Sequence, residues 1–344
     1  MLTSLVLALF LQDGGKKFIE FGWDEPDAAF MRRHAEQMEA SPFDGCVFHL
    51  NNFTWEVWGT KKFTKEELQP QLDDLKAAPF RRFTSNFLRF NTTPAKIDWF
   101  DDYSAVIVNA RLAAEIAREG KCKGILLDSE AYDGQLFDYR RQKDAKTKTW
   151  EAYAAQARER GREIMKAFQE GYPGVTVLAT FAHSLPFWET TKDGKKKPLA
   201  EVDYGLLAPF MDGMVDACAG GARIVDGYEL AYGFKKEAEF ADAKAEIREK
   251  VLPIVADPKK YVEVVSAGFG VWMDRDRHKK PWDTKDFSKN YFTPEALEAS
   301  LRAAFKTADE YVWLYCETPR WWTKEGKTID LPAPYDEAVR RARK

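Results

Sequence analysis

The chain has 344 residues, of which 45% are hydrophobic and 31% are charged, and its formal net charge is −3. This is the composition of an ordinary soluble globular protein, and the length suits one large domain or two modest ones. Lysine and arginine are scattered along the chain, so the sequence offers no basic surface for nucleic acid or an anionic membrane. We therefore expect neither of these partners.

An apolar segment occupies residues 2–11, and the run from Gln12 to Gly15 ends it. The segment is too short to span a bilayer, but it matches the apolar core of a secretory signal. We interpret residues 1–13 as a signal peptide and expect a secreted or periplasmic protein. The alternative is an apolar segment that packs under the fold. Residues 14–344 are expected to form the catalytic domain.

Strand-like and helix-like segments alternate from end to end. The predicted strands cover 17–23, 45–50, 82–90, 124–127, 175–181, 223–228, 262–272 and 310–316. The predicted helices cover 26–40, 64–77, 101–119, 150–169, 199–219 and 235–251, with others beginning near 294 and 334. Eight strand–helix units in a chain of this length predict an α/β protein, a single (β/α)8 TIM barrel with long βα loops. A doubly wound open sheet is the alternative, but no glycine-rich phosphate loop follows any strand.

The fourth predicted strand carries the clearest chemical signal. Gly124 to Tyr132 read GILLDSEAY, so an apolar strand ends in two carboxylates, Asp128 and Glu130. Residues two positions apart on an extended chain lie on the same side, here at the barrel end where catalytic residues occur. Burial raises the pKa of a carboxyl group, and a second carboxylate separates the two protonation states. We predict that Glu130 is a general acid tuned by Asp128; a solvent-facing pair that caps the next element is the alternative.

Two further acids are candidate partners for Glu130. Glu229 follows Gly227, which permits a close backbone approach, and Asp226 lies nearby as its support. The other interpretation of Glu229 is an acid in the first turn of a helix. Glu317 lies at the end of the last predicted strand. It is a candidate nucleophile, a candidate contact for a sugar hydroxyl, or an ion-pair partner of Arg320. Glycoside hydrolysis needs two carboxyl groups flanking the scissile bond, and the sequence leaves the second one open.

Other polar and aromatic side chains follow the predicted strands and are candidates for sugar contacts. They are Trp23, His49, Asn51, Asn91, His183, Asp226, Trp272, Tyr315, Trp321 and Trp322. Flat rings suit the apolar faces of sugars, while carboxylates and amides suit the hydroxyls. Most of the 11 tryptophans fall at strand ends or in βα loops. We expect some of them to pack loops onto the barrel and others, especially Trp321 and Trp322, to form sugar platforms.

We expect no metal and no cofactor. The cysteines are far apart without CxxC spacing and are predicted to be small buried side chains: Cys46, Cys122, Cys218 and Cys316. His49 and His183 with Asp128 would make a metal-ligand set, but no HxH or HExxH spacing supports it. A metal-dependent barrel hydrolase is the alternative enzyme class, and a non-catalytic carbohydrate-binding barrel is the alternative outside enzymes.

The strand that ends at Glu130 resembles a shortened form of the Asp-x-Asp-x-Glu strand of chitinase-type glycosidases, with Leu126 in place of the first Asp. In that family the final Glu is the acid and the preceding Asp supports a substrate acetamido group. The resemblance thus implies that Glu130 is the acid.

Two other runs resemble those of poorly characterised bacterial glycosidase-like barrels. One is the Asp-Gly-x-Glu run ending at Glu229, and the other is the Tyr-x-Glu-x-x-x-Trp-Trp run ending at Trp322. Together, these resemblances imply a glycoside hydrolase with a TIM barrel. Its expected partner is a carbohydrate substrate, an oligo- or polysaccharide, cleaved by carboxylate acid/base catalysis.

Overall fold

The computed structural model describes residues 15–192, 194–323 and 325–343. The apolar segment 2–11, and with it the signal-peptide interpretation, lies outside these residues. Within the described part of the chain, no helix is both long enough and apolar enough to cross a membrane.

The described strands form one sheet in which all neighbours run parallel. They are β1 (Lys17–Gly22), β2 (Gly45–Phe48), β3 (Phe87–Asn91), β4 (Gly124–Asp128), β5 (Thr176–Ala179), β6 (Arg223–Asp226), β7 (Val265–Ala267), β8 (Phe269–Trp272) and β9 (Tyr311–Cys316). The first strand β1 pairs with both β2 and β9, so the sheet curves round on itself.

The barrel closes through its seventh strand position, which is divided between β7 and β8. β7 pairs with β6, whereas β8 pairs with β9. Gly268 separates the two segments, and its backbone N donates to the Asp226 carbonyl at 2.8 Å. A Cβ atom at Gly268 would lie 2.9 Å from Cγ1 of Val225, so the bend has little room for a side chain. The continuous strand predicted over 262–272 is therefore wrong, although the eight-position barrel is confirmed.

Helices follow every described strand except β7 and cover the outside of the barrel. They are α1 (Ala28–Arg33), α2 (Ala35–Ala40), α3 (Lys65–Ala77), α4 (Ser104–Glu119), α5 (Trp150–Gly171), α6 (Ser184–Thr191), α7 (Leu207–Ala217), α8 (Glu237–Ala245), α9 (Pro258–Val264), α10 (Pro294–Thr307) and α11 (Ala333–Arg341). The helix predicted after Thr64 is confirmed, with a capping box between Thr64 and Glu67. The helix predicted over 26–40 is instead two helices that meet at His34.

Hydrophobic side chains fill two regions, the barrel interior and the layer between sheet and helices. The interior residues are Ile19, Phe21, Val47, Phe87, Leu126, Leu178, Val225, Tyr232, Tyr311 and Trp313. A Cβ atom at Gly270 would lie 2.5 Å from Cζ2 of Trp313, so this glycine makes room for the indole. The four cysteines are free and buried, as predicted.

Candidate active site

The candidate site is formed by side chains that lie just beyond the barrel interior and point in the same inward direction as the interior side chains. Because side chains alternate along a strand, a residue two positions beyond an interior residue also faces the barrel axis. On β3, interior Phe87 is followed in this way by Arg89. On β4, interior Leu126 is followed by Asp128 and then, past the strand end, by Glu130. The barrel itself thus directs a cation and two carboxyl groups toward its mouth.

A cleft of about 670 Å³ opens at this mouth, and this volume is typical of a small-molecule site. Its aromatic lining consists of Phe21, Trp23, Trp55, Tyr132, Tyr232, Trp272 and Tyr315. Its charged and titratable lining consists of Glu25, His49, Arg89, Glu130, Glu229, Glu317 and Arg320. Aromatic faces beside carboxylates suit the apolar and hydroxylated sides of a sugar ring.

Arg89 organises the buried carboxylates of the cleft. Its Nη2 lies 2.5 Å from Oδ2 of Asp128, and its Nη1 lies 2.7 Å from Oε2 of Glu25. All three side chains are buried. Burial opposes the charge of Arg89, but the carboxylates of Asp128 and Glu25 outweigh it and raise the pKa of the guanidinium. The three groups therefore form a buried ion-paired cluster, in which each charge depends on the others.

Glu130 lies beside this cluster. Burial raises the pKa of Glu130 to about 7, and the negative charge of Asp128 contributes in the same direction. Its backbone N donates to Oδ1 of Asp128 at 3.1 Å, which fixes the start of the loop. The Tyr132 hydroxyl donates to Oε2 of Glu130 and lies 3.1 Å from Oδ2 of Asp128. A carboxyl group that is half protonated at pH 7 has the acidity that a general acid needs.

A tight turn after β6 brings Glu229 to the cleft. The backbone N of Gly227 donates to the Ala179 carbonyl at 2.8 Å, and a Cβ atom at Gly227 would lie 2.5 Å from that oxygen. The close approach predicted at this glycine is confirmed. Tyr228, the next residue, has φ of 43°, a left-handed conformation that is rare outside glycine. The turn therefore holds the backbone in a strained form directly before the acid.

Glu229 lines the same cleft as Glu130 and is affected by its negative charge. Burial, followed by the negative charges of Glu130 and Asp128, raises the pKa of Glu229 well above its ordinary value. Its Oε2 is buried and has no hydrogen-bond partner among the described residues. Carboxyl groups in this relation titrate as a pair, and a pair that holds one proton supplies an acid and a carboxylate together.

Glu317 is held differently. It forms an ion pair with Arg277, and its Oε1 accepts a 3.3 Å hydrogen bond from the Tyr315 hydroxyl. Its backbone N donates to Oδ1 of Asp274 at 3.0 Å. Of the alternatives offered by the sequence, the ion pair with Arg320 is not formed.

Five of the predicted sugar contacts line the cleft or the compartment next to it. Trp23, His49, Trp272 and Tyr315 line the cleft. Asn51 lines an adjoining compartment of about 620 Å³ that shares Trp23 and His49 with the cleft.

Three other predicted contacts lie in the interior and are corrections to the sequence prediction. Asn91, His183 and Asp226 are fully buried and do not line the cleft. Nε2 of His183 lies 3.0 Å from Oδ1 of Asp212, and Asp226 accepts a 2.8 Å hydrogen bond from the Ser184 hydroxyl. The partners of His183 and Asp226 belong to the helices around the barrel, whereas the side-chain amide of Asn91 is buried without a hydrogen-bond partner among the described residues.

Trp321 and Trp322 are also buried, with 4% and 1% of their surface exposed. The backbone N of Trp321 donates to Oδ2 of Asp24 at 2.6 Å, and the Trp322 indole N–H donates to the Asp24 carbonyl at 2.7 Å. These bonds fasten the loop after β9 to the end of β1. The prediction that both rings are sugar platforms is therefore wrong, although Trp322 borders the adjoining compartment.

The residues of the alternative metal-ligand set have separate partners. His183 is paired with Asp212, Asp128 with Arg89, and the His49 ring with Glu25 at 3.6 Å. No cluster of three histidine, cysteine or acidic side chains suited to a metal is found among the described residues.

Several cleft residues were not among the sequence candidates. Arg89 had a usable signal, because it lies two positions beyond Phe87 on an inward-facing row. Tyr232 had none, since it lies in a 3-10 turn (Glu229–Gly233) and reaches the cleft by stacking on Tyr315, with ring centroids 5.4 Å apart. Trp55, whose ring centroid is 4.7 Å from Cζ of Arg89, comes from a loop without regular spacing.

Fold and cleft together make a TIM barrel with carboxyl groups and aromatic rings at its mouth. No family model matches the sequence, and no curated protein matches it either. Among solved structures, a family 5 xyloglucanase from Paenibacillus pabuli is similar over 96% of this chain and 99% of that chain, with 10% identity and a TM-score of 0.50.

Two weaker similarities have TM-scores of 0.49 and 0.45. They are to a GH5-4 broad specificity endoglucanase from Bacteroides salanitronis (12% identity, 92% of this chain, 84% of that chain) and a GH18 chitinase from Pseudoalteromonas aurantia (10% identity, 95% and 99%). The xyloglucanase match confirms, at the level of the fold, the resemblance to glycoside hydrolase barrels.

Proposed function

We propose that this chain is a glycoside hydrolase that cleaves an oligo- or polysaccharide at the mouth of the barrel. The observation that carries the proposal is the carboxyl pair of Glu130 and Glu229, with raised pKa values, in a cleft lined by aromatic rings. The barrel fold supports it without defining the sugar. Secretion to the periplasm or outside the cell is part of the proposal and rests on residues 2–11 alone.

In this mechanism Glu130 gives its proton to the glycosidic oxygen as the bond between that oxygen and the anomeric carbon breaks. Glu229, as a carboxylate, either attacks the anomeric carbon or removes a proton from the water that does so. Water supplies the hydroxyl of the new reducing end, and its second proton returns the pair to the one-proton state. If Glu229 attacks, Glu130 as a carboxylate then removes a proton from the water that breaks the bond between Glu229 and the sugar, so Glu130 acts twice per cycle. If Glu229 instead takes the proton from water, each acid acts once, and that proton passes back to Glu130 before the next cycle.

The surrounding residues hold this pair and the sugar. Burial, followed by the negative charge of Asp128, keeps the pKa of Glu130 high, and Arg89 holds the Asp128 side chain in place through their ion pair. Trp272 and the face of Trp23 opposite the Arg277 guanidinium, whose Cζ lies 4.5 Å from the ring centroid, offer ring surface to the substrate. Glu317 offers carboxylate oxygen to its hydroxyl groups. A substrate ring would replace water around the pair, which strengthens the electrostatic interactions within the cleft.

A screen of released reducing ends on a broad panel of neutral and acidic glycans tests the proposal. Wild type is expected to release products from at least one glycan, with and without a chelator, and Glu66→Gln on the exposed face of α3 is the matched control. Loss of activity with chelator, restored by metal, would indicate the metal-dependent class. Glycan binding without any turnover would indicate a non-catalytic barrel and would contradict the proposal.

The pH dependence should follow the protonation of Glu130. A general acid works only while protonated, so kcat/KM is expected to fall about tenfold per pH unit above the pKa of about 7. Asp128→Asn removes a negative charge that raises this pKa and frees Arg89 to lower it further, so the alkaline limb should move to lower pH. An unchanged limb in Asp128→Asn would show that another group titrates there.

A further inference from the structure

Arg320 lines the cleft but has no carboxylate partner among the described residues. The bond that its guanidinium makes within the protein runs from Nη1 to the Trp23 carbonyl at 3.2 Å. Its backbone is fixed by paired hydrogen bonds with Ile329, at 2.9 and 3.1 Å. A guanidinium has five N–H donors, so most of those of Arg320 remain for a ligand.

The other arginines that line the cleft and the compartment containing Asp330 are already neutralised, whereas Arg33, in the lining of the adjoining compartment, has no ion pair among the described residues. Arg89 is paired with Asp128 and Glu25, and Arg277 is paired with Glu317. Asp330 lines a neighbouring compartment, but no ion pair joins it to Arg320 in the described structure. Arg320 therefore adds positive charge that the surrounding protein does not balance by a direct contact.

Arg320 also lies where three compartments meet. The cleft, the adjoining compartment of about 620 Å³ and a third of about 300 Å³ all include Trp23 and Arg320 in their linings. Trp23 is 52% exposed, and its indole N–H donates to the Tyr315 hydroxyl at 3.0 Å. A saccharide that extends from the cleft into either neighbouring compartment passes this ring and the guanidinium beside it.

We propose that Arg320 binds the carboxylate or sulfate of an acidic sugar unit beside Trp23, so that the preferred substrates are anionic saccharides. This inference rests on the proposed function, since it assigns a substrate class to the same cleft. The planar guanidinium matches a carboxylate or sulfate through two parallel N–H···O bonds. A neutral sugar offers no charge to balance the cation, so the discrimination comes from Arg320 itself.

The test compares polygalacturonate, alginate and chondroitin sulfate with their carboxyl-reduced or desulfated forms. Wild type is expected to show a kcat/KM about tenfold or more higher on at least one acidic form, as one hydrogen-bonded charge pair would give. Arg320→Gln should lower this acidic-to-neutral ratio about tenfold, mainly through KM, and Arg320→Lys should lie between. Arg302→Gln, on the outer surface of α10, should keep the wild-type ratio.

Each outcome separates the two proposals. Cleavage of acidic and neutral forms at equal kcat/KM, with no change in Arg320→Gln, overturns the inference and leaves the proposed function standing. If no glycan is cleaved, the proposed function is wrong. In that case calorimetric binding of oligogalacturonate or of a sulfated oligosaccharide, weakened in Arg320→Gln but not in Arg302→Gln, still tests the anion site. Thermal unfolding of each variant shows whether a loss reflects binding or folding.

Discussion

Glu130→Gln is expected to lower kcat about 10³-fold with little change in KM, because glutamine keeps the shape of the side chain but cannot donate the proton. The loss should depend on the leaving group. An aryl glycoside with an acidic phenol as leaving group needs little protonation, so the variant should retain far more of the wild-type rate on it than on a natural glycan. Steady-state rates on both substrates provide the measurement.

Glu229→Gln and Glu66→Gln are the matched comparisons for this prediction. Glu229→Gln should reduce the rate on both kinds of substrate, because the attacking group is needed whatever the leaving group. Glu66→Gln should match wild type. Suppose that Glu130→Gln lowers the rate equally on both substrates, while Glu229→Gln keeps most of the wild-type rate on the aryl glycoside. The roles of the two acids are then exchanged.

Arg89→Met is expected to lower the free energy of unfolding by about 3–5 kcal/mol, because it leaves the buried carboxylates of Asp128 and Glu25 without their counter-charge. The substitution removes the charge of Arg89, which lowers the pKa of Glu25 against the effect of burial. Protonation of Glu25 in the variant therefore relieves part of the cost, so the deficit should be smaller at pH 5 than at pH 8. Urea unfolding at the two pH values measures both effects.

Arg302→Met provides the control for a lost surface ion pair. Arg302 is 47% exposed in its pair with Glu298, and its replacement should change stability by no more than about 0.5 kcal/mol. If Arg89→Met costs as little as Arg302→Met, the cluster around Arg89 does not depend on its charges, and its proposed role in holding Asp128 would be wrong.

The alternation of strands and helices was sufficient to predict the barrel, because local signals such as the capping box at Thr64 specify each element. The division of the seventh strand was not predictable in this way. The bend at Gly268 depends on the neighbours β6 and β9, which come from distant parts of the sequence. Pairing between distant strands determines where a strand ends, and one sequence does not show it.

The residues of the candidate site also fall into two groups, those that local sequence patterns predict and those that depend on distant contacts. Asp128, Glu130 and Glu229 were recognisable because each ends or follows an apolar strand. Arg89 was not among the candidates, although its position two residues beyond Phe87 on the same strand was a usable signal. The burial of Trp321 was not, since it depends on Asp24, 297 positions away. The pairing of each acid with its arginine likewise depends on where the loops lie in the folded chain, and a local sequence pattern does not show this.

The hydrogen bond between Trp23 and Tyr315 joins residues 292 positions apart, and the bond from Arg320 to Trp23 joins residues 297 apart. The shared wall of the three compartments is therefore made by the first strand and the last. During synthesis on the ribosome, the segment bearing Trp23 emerges long before its partners, and domains fold with their distant contacts formed late. A saccharide that binds at this wall, as proposed, would therefore stabilise only the folded chain and not the earlier folding intermediates.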